Sequence, residues 1–502
     1  MQGGSLSVRE GEDILQSAEV DAQLRTEVCS TEYKSIMMNC DVVLAITVQE
    51  SFAHEKKHPR CATPFIGGCG RRHAADLADH AGGENRAVDG RPLASNGHRM
   101  CTVAQAACLL DQEDITPSST DNSTSINSSL FIPSAFSTNK MSPLLAPLKT
   151  NTARRVLNSF PWMTAPFIVA APMRVMSGPE LALAVSRAGG LGFIGPGAKP
   201  DDTITDLAMA RRLMNAAATA TFNSSMFDTV LPVGVGFQLW NGDIDSATRA
   251  VREHRPCAAW LFAPRNGQPE LDEWTDALRK ASPGIQVWIQ VGTLQESLEA
   301  ANSRSRPDVL VVQGAEAGGH GTAEGAMGLM TLFLEVADAV HRSNMPLFAA
   351  GGIADGRGVA AALALGATGV ALGTRFLAST EARISKGYQQ EIVRATDGAS
   401  HTIRTTLYNQ LRGTKGWPER YSPRGIVNKS WHDHQAGVPF DELKRLHDDA
   451  VQAGDSGWGP DGRLATYAGA AIGLVHSVES SSVLVNRLQT EACDVIRRLP
   501  GS

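Results

Sequence analysis

The stretch that decides the fold is residues 347–376, which read LFAAGGIADGRGVAAALALGATGVALGTRF. It contains two short apolar runs, Leu347–Ala350 and Gly369–Leu372, separated by the helix-length segment Gly356–Leu365. A run, a helix and a second run are typical of a βαβ unit with parallel strands. Because the runs are continuously apolar rather than alternating, they predict a parallel sheet that is covered on both faces.

The same alternation extends upstream to about residue 165. The other six apolar runs are Phe167–Ala171, Leu191–Ile194, Leu231–Phe237, Ala258–Phe262, Ile285–Val291 and Val309–Val312. The other amphipathic stretches are Pro179–Ala188, Thr203–Met214, Asp245–His254, Glu270–Ala281, Leu294–Asn302 and Leu329–Val340. Eight such units predict an α/β fold of the closed (β/α)8 type, a TIM barrel. A doubly wound open sheet is the alternative, although no early strand is followed by the Gly-x-Gly-x-x-Gly pattern that would open a helix.

The composition changes along the chain and predicts three regions. Residues 1–140 show little periodicity and end in a stretch rich in Ser, Thr and Asn, Pro117–Asn139, so we expect a low-complexity extension that is largely disordered. Residues 160–380 are the predicted barrel. Residues 381–502 are predicted as an excursion of loops and helices that returns to cover the barrel mouth. Metal binding by the His and Cys residues between 54 and 73 is not predicted, because they contain no Cys-x2-Cys pair.

Charge and hydropathy exclude several classes of protein. The 502 residues carry 46 Lys and Arg against 52 Asp and Glu, a net charge of -6, which argues against nucleic acid as a partner. No apolar run reaches the roughly 18 residues that a membrane span needs. The N-terminus has no basic segment followed by an apolar one, so we read no secretory signal and expect a cytoplasmic protein.

Residues at the carboxyl ends of the predicted strands are the candidates for chemistry, because TIM-barrel active sites lie there. The first run ends in Ala171-Pro172-Met173, where proline fixes the backbone and offers no N–H. The third is followed by Gln238, whose amide could pair with the edge of a heterocycle or with loop backbone.

The sixth run leads into the most specific segment, Val311–Gly321. Gln313 leaves the strand towards the mouth, and the paired Gly318 and Gly319 would let backbone amides approach a ligand closely. His320 follows them, and an imidazole there could accept a proton near neutral pH. We therefore predict His320 as the catalytic residue.

The loops after the seventh and eighth strands form the frequent phosphate site of this fold. Gly351 and Gly352 follow the seventh strand, and Gly373 and Thr374 follow the eighth. Glycine amides, a hydroxyl and a helix N-terminus can bind a phosphate without a lysine. Arg375 could contact the phosphate or form a salt bridge at the rim.

Taken together, these segments resemble the nitronate monooxygenases, formerly called 2-nitropropane dioxygenases. The resemblance covers residues 162–378 and continues more loosely through Trp417-Pro418, Arg424–Asn428 and Tyr467–Gly469. At the end of the third strand the family usually has Gly-Val-Asn or a similar polar pair, whereas this chain has Gly236-Phe237-Gln238.

The resemblance implies an FMN-dependent enzyme that oxidises alkyl nitronates, and possibly nitroalkanes, with O2 to a carbonyl compound and nitrite. The flavin ring would lie near Ala171, Pro172 and Met173, with Gln238 and Gln313 close to its polar atoms. Its phosphate would contact Gly351, Gly352, Gly373 and Thr374. His320 matches the family's catalytic histidine, which removes the α-proton of a nitroalkane or orients the nitronate. No metal is implied.

Two other functions remain compatible with the sequence. The first is a flavin-dependent enoyl-acyl-carrier reductase of the same superfamily, which shares the Ala-Gly-Gly-His loop and would need a nicotinamide site. The second is a barrel that binds FMN without turnover.

Overall fold

The computed structural model describes residues 150–216 and 229–499, and in them the eight predicted apolar runs form a closed barrel of parallel strands. The strands are β1 Phe167–Ala170, β2 Leu191–Ile194, β3 Leu231–Gln238, β4 Pro256–Phe262, β5 Gln286–Val291, β6 Val309–Gln313, β8 Leu347–Ala350 and β9 Gly369–Leu372. Each pairs in parallel with the next, and β9 closes the ring on β1 with Phe167 opposite Gly369. The predicted (β/α)8 fold is confirmed, and the open-sheet alternative is excluded.

The predicted helices all form, with ends that differ by a few residues at most. They are α2 Pro179–Arg187, α3 Asp202–Ala216, α4 Ile244–His254, α5 Gln268–Ala281, α6 Leu294–Asn302, α7 Leu329–Val340 and α8 Gly356–Ala364. An eighth helix, α15 Ser481–Arg497, packs on the outside of the barrel against α2 and α8. The sequence analysis did not name α15, although Leu484, Val485 and Leu488 have the spacing of one buried helical face.

The amino end of the barrel is closed by a short helix, α1 Asn151–Ser159. Its side chain Val156 and the following Phe160 and Met163 pack into the barrel interior beside Trp288 and Phe348. The Thr150 side chain caps α1 by accepting a hydrogen bond from the Ala153 amide. The predicted extension over residues 1–140 lies outside the described residues.

The segment between β9 and α15 lies over the carboxyl end of the barrel. It contains α9 Thr374–Leu377, α10 Lys386–Arg394, α11 Gly398–His401, β10 Thr402–Arg404, α12 Leu407–Leu411, β11 Tyr421–Ile426, α13 Lys429–Gln435 and α14 Phe440–Gln452. Strands β10 and β11 add to β7, Gly319–Thr322, to give a small antiparallel sheet in the order β10-β11-β7. The sequence analysis did not predict this sheet. Its strands are three to six residues long and are far apart in the sequence, so no local pattern marks their pairing.

Candidate active site

A cavity opens at the barrel mouth, the end where the parallel strands finish. It lies below the segments around residues 412–417 and 467–475 of the excursion. All of the predicted site residues line it: Ala171, Pro172, Met173, Gln238, Gln313, Gly318, Gly319, His320, Gly351, Gly352, Gly373 and Thr374. The structure therefore brings together residues that are up to about 200 positions apart in the sequence.

The end of β1 forms one wall of the cavity. The Ala171 amide continues the barrel pairing by donating to the Leu372 carbonyl oxygen at 3.0 Å. Pro172 lies directly against Gly236 of β3, where an added Cβ atom would come within 2.3 Å of the proline Cβ. The Met173 amide donates to Ser177 Oγ at 2.8 Å. These contacts fix the wall in one conformation, which leaves its surface for a flat ligand.

The glycines after β8 and β9 differ in their conformation. Gly351 and Gly352 have φ angles of 92° and 74°, a region that disfavours any residue with a Cβ atom. Gly373 has a φ of -105°, and among the described residues a Cβ atom added to it would meet only Met173 Sδ, at 3.7 Å. The first two glycines therefore shape the loop backbone, whereas Gly373 leaves open space that belongs to the cavity.

Two neighbours of the predicted phosphate site also have structural partners. Thr374 Oγ1 accepts a hydrogen bond from the Gly469 amide at 3.0 Å, which ties the excursion to the end of β9. Arg375 is buried and donates to Glu479 Oε1 at 2.7 Å and to the Ser477 carbonyl oxygen at 2.8 Å. Of the two roles that the sequence left open for Arg375, the structure shows the salt bridge.

The paired glycines before His320 also have separate surroundings. A Cβ atom on Gly318 would come within 2.4 Å of the Ala468 carbonyl carbon, so this glycine allows the excursion to approach β7 closely. Gly319 has a φ of 68°, and no heavy atom of residues 150–216 and 229–499 lies within 4 Å of its Cβ position. Both glycines still border the cavity.

One of the residues that line the cavity carries a buried polar atom with no partner among the described residues. Gln238 Oε1, at the end of β3, is buried and accepts no hydrogen bond from the described residues. A buried amide oxygen without a donor costs about 1–3 kcal/mol. Gln290 Oε1, which also lines the cavity, accepts from Trp260 Nε1 at 3.1 Å. The Gln238 oxygen is therefore an acceptor available to a ligand N–H.

His320 is held at the cavity by strand pairing and by two arginines. It lies on β7 opposite Pro423 of β11. Arg404 Nη2 donates to the carbonyl oxygens of Ala315 and Ala317 at 3.2 Å each, in the loop that leads to β7. Arg424 Nε donates to the Ala315 oxygen at 3.2 Å as well. The excursion thus determines where the histidine backbone lies.

The imidazole of His320 is enclosed on one face and at one edge. Its ring stacks on Trp417 with the centroids 3.7 Å apart and the planes 5° from parallel. Asn409 Nδ2 lies 3.0 Å from His320 Nε2. Burial lowers the pKa of His320 to about 3, and the positive charges of Arg412, Arg404 and Arg174 add to that shift. The ring is therefore neutral at pH 7.

The cavity is positively charged. Arg174 and Arg412 line it, and the lining set within the described residues contains no Asp or Glu. Arg174 Nη2 donates to the Ala198 carbonyl oxygen at 3.1 Å, and Arg412 Nη1 donates to Tyr467 Oη at 3.2 Å. Two guanidinium groups at one cavity favour an anionic ligand. Groups of three or more acidic, His or Cys side chains that could hold a metal are not found in the described part of the chain.

Several cavity residues were not assigned by the sequence analysis. Trp417 and Tyr467 enter the sequence analysis only as part of the resemblance, and Arg174 and Arg412 do not enter it, nor does Asn409, which contacts His320 from outside the cavity lining. Arg174 directly follows Ala171-Pro172-Met173, so its position at a strand end was a usable signal. Asn409 lies on α12, where nothing in its neighbours indicates that it reaches the histidine.

The chain matches a known protein family and several of its members. The family model that describes nitronate monooxygenase matches residues 270–491. The nitronate monooxygenase npaC of Metarhizium robertsii is 58% identical over 349 residues, which cover 70% of this chain and 97% of that protein. A nitronate monooxygenase of Neurospora crassa is 33% identical over 364 residues, 68% of this chain and 93% of that protein.

Solved structures show the same architecture. FabK from Thermotoga maritima is 27% identical with a TM-score of 0.54, covering 69% of this chain and 98% of that one. Nitroalkane oxidase from Streptomyces ansochromogenes is 23% identical with a TM-score of 0.51, covering 66% of this chain and 98% of that one, and supports the fold alone. No helix within residues 150–216 and 229–499 combines the length and apolar character of a membrane span.

Proposed function

Because the chain belongs to the nitronate monooxygenase family, we propose that it binds FMN at the barrel mouth and oxidises alkyl nitronates with O2 to a carbonyl compound and nitrite. The family membership rests on relatives that are 58% and 33% identical over more than nine-tenths of their own length. The observation that carries the proposal is the cavity, which is lined by a neutral His320 and two arginines.

The residues present fit a flavin. The Gln238 oxygen, which is buried and lacks a donor, suits an N–H at the edge of the flavin ring, and Gln313 lies on the same rim. The space beside Gly373 and the backbone of Gly351 and Gly352 suits the phosphate. When bound, the flavin supplies the electron transfer between the nitronate and O2.

The protein contributes position and electrostatics. Arg174 and Arg412 attract the anionic nitronate into the cavity. The Ala171-Pro172-Met173 wall offers a fixed surface for the flavin ring, and Trp417 encloses His320 on the other side. We place His320 in contact with the substrate, because its ring borders the cavity beside Trp417 and Asn409.

Purification and turnover test the proposal. The purified chain should be yellow, should release FMN on denaturation, and should form nitrite and a carbonyl compound from an alkyl nitronate in air. A colourless protein that cannot be reconstituted with FMN would overturn the cofactor assignment.

The same preparation separates the alternatives. A flavin-dependent enoyl reductase would oxidise NADH when given a crotonyl thioester, and we expect no such oxidation. A barrel that binds FMN without chemistry would be yellow and would form no nitrite from the nitronate.

A further inference from the structure

A directed chain of hydrogen bonds runs from Arg412 to His320. Arg412 Nη1 lies 3.2 Å from Tyr467 Oη, Tyr467 Oη lies 3.3 Å from Asn409 Oδ1, and Asn409 Nδ2 lies 3.0 Å from His320 Nε2. A guanidinium can only donate, so the tyrosine oxygen accepts from Arg412 and gives its own proton to the Asn409 oxygen. The Asn409 amide group is thereby oriented with its NH2 towards the histidine.

The opposite orientation of Asn409 is disfavoured by the same atoms. If the amide were turned over, its NH2 would face Tyr467, and the phenol oxygen would accept from both Arg412 and Asn409. The phenol proton would then lose its acceptor, since within the described residues Tyr467 Oη donates only to Asn409 Oδ1. The Arg412 guanidinium also lies over the Tyr467 ring, 5.5 Å from its centroid. This cation–π contact holds the first two residues of the hydrogen-bond series together.

This series of hydrogen bonds determines which nitrogen of His320 carries the proton. An Nε2 atom that accepts from Asn409 has no proton, and a neutral imidazole then carries its proton on Nδ1. His320 Nδ1 has no hydrogen-bond partner in the described part of the protein, while the ring borders the cavity. The histidine therefore offers the cavity a donor, and its only lone pair is already used.

The charges around the ring favour the same state. Arg412, Arg404 and Arg174 face His320, Tyr467 lies 5.8 Å away between ring centroids, and none of these groups stabilises an imidazolium. A base acts best when its pKa is near the working pH, and the lowered pKa of His320, about 3, makes it a weak acceptor of a substrate proton.

We propose that Asn409 is a positioning residue that holds His320 in the neutral Nδ1–H form, so that the enzyme uses preformed nitronates and is poor at deprotonating neutral nitroalkanes. In this arrangement the Nδ1–H donates a hydrogen bond to a nitronate oxygen, and no proton leaves the substrate carbon. The inference rests on the proposed function for its substrate, but the tautomer it assigns is independent of turnover.

The decisive variant is Asn409→Asp, which has the same shape and can only accept. It reverses the hydrogen bond between residue 409 and His320, so that Nε2–H donates to the carboxylate and the lone pair of Nδ1 becomes available. It also raises the pKa of His320. The ratio of kcat/KM for a neutral nitroalkane to kcat/KM for its nitronate should then rise by about tenfold or more, since general-base assistance contributes about 10²–10⁴-fold. The kcat/KM profile for the nitroalkane should gain a pH dependence near neutrality.

Two further variants accompany this test, one as a control and one as a second perturbation of the same hydrogen bonds. Gln410→Glu makes the same change of amide to acid on the next residue of α12, where the side chain is exposed, and should leave the ratio unchanged. Tyr467→Phe removes the proton that orients Asn409, and it should raise the ratio in the same direction by a smaller factor. An unchanged ratio in a folded, yellow Asn409→Asp protein would overturn the proposal.

Nitrogen NMR separates this inference from the proposed function. In protein labelled with ¹⁵N-histidine, the difference between wild type and His320→Asn should show a neutral ring with its proton on Nδ1. A proton on Nε2 would overturn the inference, whatever the enzyme turns over. Absence of nitronate turnover would overturn the proposed function, and the spectrum would still decide the tautomer.

Discussion

The two ends of the barrel are built from the same strands and are filled in opposite ways. At the amino end the interior is packed with aromatic rings: Trp288 lies 4.7 Å from Phe348, 5.3 Å from Phe193 and 6.0 Å from Phe160 between centroids. At the carboxyl end the strands finish in glycines, amides and a histidine around a cavity. One end supplies stability and the other accepts a ligand, so substitutions at the two ends should affect different measurements.

The largest effect is expected at the packed end. Trp288→Ala removes a fully buried ring from the centre of the aromatic cluster and should lower the free energy of unfolding by about 3–5 kcal/mol. Denaturant unfolding measures it. Trp431→Ala, on the partly exposed face of α13, is the matched control and should cost clearly less. Equal losses would mean that the cluster does not carry the stability of the barrel.

A second variant at the same position sharpens this result. Trp288 Nε1 is buried and donates no hydrogen bond to the described residues. Trp288→Phe keeps most of the ring and removes the unpaired N–H, so we expect it to cost less than the alanine variant.

At the cavity end, His320→Asn should leave the fold intact and reduce turnover. If the histidine donates to the nitronate oxygen, its loss should lower kcat/KM by about 10²–10³-fold, as for other donors to a developing or bound anion. Steady-state nitrite formation measures the loss, and FMN titration checks that the cofactor still binds. Wild-type rates in the variant would remove His320 from the site.

Substitutions of two glycines at the barrel mouth, Gly373 and Gly352, should both weaken FMN binding but should differ in their effect on stability. Gly373→Val places a side chain in open cavity space at a φ that any residue adopts, so the protein should fold normally and bind FMN more weakly. Gly352→Val places one at a φ of 74°, so it should lower stability as well as affinity. Circular dichroism together with FMN titration distinguishes the two, and unchanged affinity in Gly373→Val would remove the phosphate from this position.

The lowered pKa of His320 gives a smaller effect on stability. The ring has a pKa of about 3 in the folded chain against an ordinary value of 6.5, so the unfolded chain gains a proton first as the pH falls. The contribution of the neutral His320 ring to the free energy of unfolding should therefore be fully present above about pH 6.5 and should be lost between pH 6.5 and 3. His320→Asn should make that decline shallower in denaturant unfolding, and an unchanged decline would contradict this prediction.

The smallest effect is expected from removing residues 1–140. In the described part of the chain the first helix that packs into the barrel begins at Asn151, so we expect FMN content and nitronate turnover to stay nearly unchanged. Removing residues 1–160 also deletes Val156 and Phe160 from the interior and should destabilise the barrel. Loss of FMN in the shorter deletion would show that the extension contributes to the site.

The strands and the residues that follow them could be predicted from the sequence because both signals are local. A continuous apolar run such as Val309–Val312 marks a buried parallel strand, and the next polar residue then lies at the mouth. Gln313 and His320 were found in this way.

The residues that orient His320 could not be found by the same reasoning. Asn409 and Trp417 reach the histidine only because β11 pairs with β7 across about 100 residues, and short antiparallel strands leave no periodic pattern to read. The protonation state of the His320 imidazole depends on this long-range pairing. The sequence therefore left open whether His320 removes a proton from the substrate or orients the nitronate. The helix α15 is a different case, since its apolar spacing was present and could have been used.

The position of α15 has a consequence for folding kinetics. This last helix closes the outer ring beside β1, where Gln489 Nε2 donates to the Thr164 carbonyl oxygen across a separation of 325 residues. Contacts between residues so distant in sequence form late, because their loop-closure entropy must be overcome first. The excursion that positions His320 lies within that loop. We therefore expect the site around His320 to form in the last step of folding. Substitutions on the inner face of α15 should therefore slow the gain of activity during refolding more than they alter the activity finally reached.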